Sequence, residues 1–237
     1  MEQRRKNSPR SLIAMLLAMA AAAVTIYLGW RYANRQYYVV SVLLILYFMA
    51  PFFLMFERRR PQARELVVIA VLTAIAVVSR VLFIWAPAVK PLLAFVIITG
   101  IAFGPESGFL TGALAAFVSN FVFGQGAWTP WQMFAYGLGG FLAGVLYQAG
   151  LLPKKRVPLA VFGFLTVFLL VGPVLDTCAI FLQPAAINWQ LMKMLYLSGV
   201  PVNLIHGLCV ALTLLLVSQP MFEKLERIKD KYGMMEG

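Results

Sequence analysis

Few side chains in this chain can do chemistry away from water, and the foremost are Arg80 and Asp176, which stand within long apolar stretches. An ionised arginine or aspartate in hydrocarbon costs several kcal/mol. Each must therefore face the other, a ligand or water, and an ion pair locking two helices stays open beside a ligand-binding role. Asn120, Gln132, Tyr136, Asn203 and His206 add amide, phenol and imidazole groups within apolar runs, and Lys90 stands beside one. Together Arg80, Lys90 and Asp176 suit a ligand carrying charged or amide groups. His206 alone reads first as a hydrogen bond between helices. Paired with Asp176 it would allow acid/base work on a lipid, although no second catalytic carboxylate is available.

The segment Gly124-Gln125-Gly126-Ala127-Trp128-Thr129-Pro130-Trp131-Gln132-Met133 gathers further recognition groups. Its glycines permit a tight turn and Pro130 suits the first turn of a helix. Trp128 and Trp131 each offer a flat apolar face with one N–H donor. An interfacial aromatic belt and a lid over a planar or bulky ligand both fit these residues. There is no phosphate loop, no His-Glu-x-x-His, no Gly-x-Ser-x-Gly and no acidic cluster, so nothing points to ATP hydrolysis, a metal or a cofactor. Cys178 and Cys209 read as small buried hydrophobes. Uphill movement of a solute would need energy from a partner.

The elements that must hold these groups are membrane helices. The chain is 62% apolar and 12% charged with a mean hydropathy of +0.83, which excludes a soluble globular domain. Eight apolar runs, at about 11–30, 36–56, 65–85, 91–104, 107–123, 130–149, 157–182 and 193–218, suit an all-α polytopic protein. The first follows a basic stretch but is too long for a signal peptide and reads as an uncleaved helix. The fourth and fifth are separated only by the tight turn Phe103-Gly104-Pro105-Glu106. The net charge of +11 sits in clusters between the runs rather than on a nucleic-acid-binding face.

An even number of spans puts fifteen basic residues on the side of the termini and four opposite, which predicts both termini in the cytoplasm. With about 1.5 Å of rise per residue, Arg80, Asn120, Gln132, Tyr136, Asp176, Asn203 and His206 all fall in the outer half of the membrane. The opposite halves are nearly pure Ala, Leu, Val, Phe and Gly, which predicts a cavity open to the outside. Spaced pairs of small residues, Gly108 with Gly112 and Gly140 with Gly144, predict close helix packing. Ala70 and Ala74 form another such pair, suited to packing or to a second subunit. The basic stretch ending at Arg64 divides the chain into a hairpin with its linker (1–64), a six-helix core (65–219) and a tail (220–237).

These residues resemble the S components of energy-coupling factor (ECF) vitamin transporters over about 65–218. The likeness rests on Ala70-Val71-Leu72-Thr73-Ala74, on Val89-Lys90-Pro91, on the run from Gly100 to Phe109 and, most specifically, on the run from Ser119 to Met133. The resemblance implies a non-enzymatic subunit of a bacterial cytoplasmic membrane. It would capture a vitamin from outside and dock through Ala70 and Ala74 on a transmembrane coupling subunit that carries two cytoplasmic ATPases. The string around Trp128 and Trp131 is most similar to members assigned to cobalamin. On this reading Arg80, Lys90, Asn120, Gln125, Trp128, Trp131, Gln132, Tyr136, Asp176 and Asn203 lie near the ligand. The extra hairpin and Ala127, where proline is expected, depart from the family pattern, and the hairpin is positioned to cover the Ala70–Ala74 helix. A structural or assembly subunit is the remaining alternative.

Overall fold

The computed structural model describes residues 24, 37–58, 61–183 and 187–233. Among them the fold is all-α: α1 (Tyr37–Arg58), α2 (Ala63–Val81), α3 (Leu92–Phe103), α4 (Pro105–Phe123), α5 (Thr129–Gln148), α6 (Arg156–Leu182) and α7 (Trp189–Tyr232). Helices α1, α4, α6 and α7 are each long and apolar enough to cross a membrane. The protein is a multi-pass membrane protein. The expected run at 11–30 lies outside the described residues apart from Val24.

Helix α3 explains the arrangement of the rest. Its sequence is apolar on every side, and all twelve of its residues are buried, as expected of a helix enclosed by others. It packs against α2, α4, α5, α6 and α7. At about 1.5 Å per residue it rises only about 18 Å, so it is an internal post rather than a lipid-facing span. Gly104 alone separates it from α4, at a φ of 96° that an L side chain rarely adopts.

The close packing foreseen for the glycine pairs is present. A Cβ placed on Gly108 would lie 2.6 Å from the Gly140 carbonyl oxygen, and one on Gly140 would lie 2.5 Å from that of Gly108. Helices α4 and α5 therefore touch through backbone, which fixes the ends that carry Asn120 and Gln132.

Two boundaries differ from expectation. Helix α2 stops at Val81 and residues 82–90 form successive turns, because Pro87 lacks a donor and disfavours helix at the residue before it. Helix α7 runs 44 residues, well past the expected end at 218. Its charged extension remains helical because Phe222 and Leu225 recur on one face and join the core.

Helix α6 widens into a π-helical turn at Val167–Val171. Pro173 cannot donate to the carbonyl four residues back, and its ring crowds that carbonyl, so the ladder re-registers just before it. Helix α1 packs on α4, α5 and α6. Phe52 stacks on Phe109 at 4.2 Å between centroids and meets Phe141 edge-on at 4.9 Å.

Candidate functional site

Arg80 closes the last turn of α2 and is only 2% exposed. Its Nη1 donates to Ser119 Oγ and, at 3.0 Å, to Asn120 Oδ1, both in the final turn of α4. Its Nη2 donates to Gln132 Oε1 in the first turn of α5, at 3.4 Å. The guanidinium lies 4.4 Å from the centre of the Phe123 ring. Such planar stacking and forked donation suit arginine and not lysine.

Asn120 ties this cluster to the loop before α5. Its Nδ2 donates to Gln132 Oε1 at 2.8 Å and to Thr129 Oγ1 at 3.0 Å. Thr129 Oγ1 donates in turn to Gln125 Oε1 at 2.9 Å, and Gln125 Nε2 donates to the Phe117 carbonyl. Three helices and one loop thus converge on a single network at the end of the bundle where α2 and α4 finish. Thr129 is a member that sequence reasoning missed. Nothing in its type or in its place beside Pro130 singled it out.

The expected residues do not form one group. Asp176 accepts from Asn203 Nδ2 at 2.9 Å, and the next residue, Thr177, shares a hydroxyl contact of 2.7 Å with Tyr196. This second seam joins α6 to α7, and the π-turn sets Gly172 directly against the Asn203 amide. Arg80 and Asp176 are not partners. Asparagine supplies the hydrogen bond that the carboxylate needs, and neutral oxygens on α4 and α5 supply those of the arginine.

The tryptophans also separate. Trp131 is 7% exposed and stacks on Phe181 at 5.8 Å, within a cluster that includes Ile45 and Met49 of α1. Trp128 is 40% exposed and folds back over Gly126. Tyr136 is buried one turn beyond Gln132, with its ring edge-on to that of His206 at 6.1 Å. His206 is 5% exposed, and its Nε2 has no hydrogen-bond partner, as is true of Arg80 Nε and Trp131 Nε1. Unpaired buried polar atoms are costly, and these three mark where the bundle leaves polar capacity unused. His206 therefore belongs with the candidate residues, although its isolation in the sequence favoured a helix-to-helix role.

Lys90 stands in the turn-rich segment between α2 and α3, half-buried. Desolvation and the nearby Arg80 charge hold its ammonium at a pKa of about 8, well below its ordinary 10.5. The cavities beside the cluster are apolar. One of about 520 Å³ runs between Leu82, Phe95 and Leu212, and one of about 410 Å³ lies along Val71, Ala74 and Val78. Ala70 and Ala74 are exposed on α2 together with Val67, Val71 and Val78. Among the described residues, helix α1 packs on α4, α5 and α6 rather than over this face.

No group of three or more His, Cys, Asp or Glu side chains able to hold a metal occurs among the described residues. No curated protein and no solved structure matches the chain. A family model described as the S component of ECF-type riboflavin transporters matches residues 61–222, from just before α2 into the extension of α7. That span includes the whole Arg80 network and both alanines of the open α2 face, and the chain belongs to the ECF-type riboflavin transporter S component family.

Proposed function

We propose that this protein captures a vitamin-class micronutrient at the Arg80 end of its bundle and delivers it through an ECF importer. The convergence of Arg80, Asn120, Gln125, Thr129 and Gln132 from α2, α4, α5 and the intervening loop carries this reading. Such a network offers oriented donors and acceptors to a polar solute at one end of an otherwise apolar bundle. It is a binding arrangement. With Asp176 held by Asn203 and remote from a second carboxylate, acid/base catalysis on a lipid has no matching pair.

A flavin is the favoured substrate. The matched family is described by riboflavin, and one exposed indole at Trp128 suits a planar ring of modest size. Cobalamin is the rival on the likeness of the loop string, but its case relied on two tryptophans facing a large ring system. Trp131 is instead turned into the cluster with Phe181. Asp176 and Asn203 would then line the far wall or hold α6 to α7.

The partners follow from the family: a transmembrane coupling subunit and two cytoplasmic ATPases. The open stripe of Ala70, Ala74 and the neighbouring valines suits a close helix contact with the coupling subunit. We take 65–219 as the binding core, 1–64 as an added hairpin with its linker and 220–237 as a tail. The basic clusters favour the bacterial cytoplasmic membrane with both termini inside, so that the Arg80 end faces out. Purifying the full-length protein with its partners, and identifying bound small molecules by mass spectrometry, tests the proposal. A vitamin and a coupling subunit recovered together would support it, and recovery of neither would overturn it.

A further inference from the structure

Among the described residues, two cations stand at this site without a counter-charge. Arg80 is buried, and its three bonded partners, Ser119, Asn120 and Gln132, are neutral. Its Nε has no partner. The ammonium of Lys90, on the next segment, has no hydrogen-bond or ion-pair partner among the described residues. Asp176, the carboxylate that the sequence offered as a partner for Arg80, is bonded to Asn203 instead.

Such a set is unfavourable when empty. Desolvating a cation costs several kcal/mol unless an opposite charge offsets it. Neutral oxygens satisfy hydrogen bonds on one edge of Arg80 and supply no net charge. The unused Nε–H of Arg80 and the Lys90 ammonium are donors that lack an acceptor, and a group that brings negative charge with its lone pairs suits both.

We propose that the ligand of this site carries an anionic substituent, a phosphate or carboxylate, seated against Lys90 and the Nε edge of Arg80. The proposal rests on the substrate-capture reading above and adds the charge class of what is captured. The low pKa of Lys90 agrees with it. A bound anion favours the ammonium, so binding takes up a proton at about pH 8 and above, and affinity is highest below about pH 8 and falls above it. Arg80, His206, Cys209 and Tyr136 are the other charged or titratable groups around this corner.

Matched ligand pairs test this directly. Full-length protein in neutral detergent is titrated with riboflavin and riboflavin 5′-phosphate, and unfolding is followed with inorganic pyrophosphate. The proposal expects the phosphate ester to bind about tenfold tighter or better, with that ratio shrinking in Lys90→Met and above pH 8. Pyrophosphate should raise the melting temperature of the wild type and not that of Lys90→Met. Equal affinity for the two flavins, or a ratio unchanged in Lys90→Met, overturns the proposal. If neither flavin binds, the flavin reading fails, and the pyrophosphate result alone decides the anion site. Stabilisation that requires phosphatidylglycerol nanodiscs and ignores soluble phosphate would assign the cations to a lipid headgroup and also overturn it.

Discussion

Arg80 Nη1 and Asn120 Oδ1 are joined by a 3.0 Å hydrogen bond across forty positions of sequence. The bond links the last turn of α2 to the last turn of α4. Asn120 is the hub, because its amide also donates to Thr129 and Gln132 and so commits the start of α5.

Replacing the hub should therefore act on three elements at once. Asn120→Ala leaves buried groups on Arg80, Thr129 and Gln132 short of partners, and a cost of about 1–3 kcal/mol in stability is expected. Ligand affinity should fall by at least about tenfold as Arg80 loses its fixed orientation. Thermal unfolding and calorimetry on the same preparation measure both. A variant with unaltered affinity would remove Asn120 from the site.

The α4–α5 contact gives a sharper structural prediction. Gly140→Val drives a side chain into the Gly108 carbonyl, and no flexible neighbour is there to yield. The expected loss is about 4 kcal/mol or more, read as loss of monodisperse protein in detergent. Gly150→Ala is the comparison: its surroundings are open, and only the φ of 73° opposes the change, so about 1 kcal/mol is expected.

The open face of α2 makes a prediction about assembly. Ala74→Trp adds bulk where close helix approach is required. Capture of the coupling subunit should drop by at least about tenfold, while the bundle stays folded because Ala74 is exposed. Pull-down with a tagged coupling subunit reads this out. Undiminished capture would move the docking surface elsewhere.

At the opposite end, the extension of α7 is fastened to the core. Lys154 Nζ pairs with Glu226 at 2.9 Å, Gln219 donates to the Lys154 carbonyl, and Lys229 donates to the Ala102 carbonyl at the end of α3. Hydrogen bonding and charge from Lys154 hold the Glu226 carboxyl below its ordinary value of 4.5. A lowered carboxyl pKa contributes stability above the unfolded value and loses it as pH falls through the folded one. Glu226→Gln should thus be less stable than the wild type near neutrality by about 0.5 kcal/mol, the scale of an exposed pair. The gap should close well below about pH 4.5. A gap that persists in acid would contradict this assignment.

Much of this architecture was legible from residue types and spacing. Apolar runs located α1 to α7 within a few residues except at the far end of α7, and the small-residue pairs marked the α4–α5 contact. The gathering of Arg80, Asn120 and Gln132 followed from their depths along successive helices. Their partners did not. Depth fixes a level in the bundle, but rotation about each helix axis depends on packing, and so Asp176 faces Asn203 and Trp131 turns toward Phe181. The far end of α7 was hidden for another reason. Hydropathy marks where a helix leaves the apolar layer, and an amphipathic helix can continue beyond it, as Phe222 and Leu225 show.

The central claim is that the Arg80 cluster binds a micronutrient. Equilibrium titration of the purified full-length protein with riboflavin and with cobalamin, for wild type and Arg80→Met side by side, tests it most directly. Saturable binding of the flavin by the wild type, weakened about a hundredfold or more in Arg80→Met, is the predicted result. Binding that survives the substitution undiminished, or no binding of either vitamin by folded wild-type protein, would contradict it.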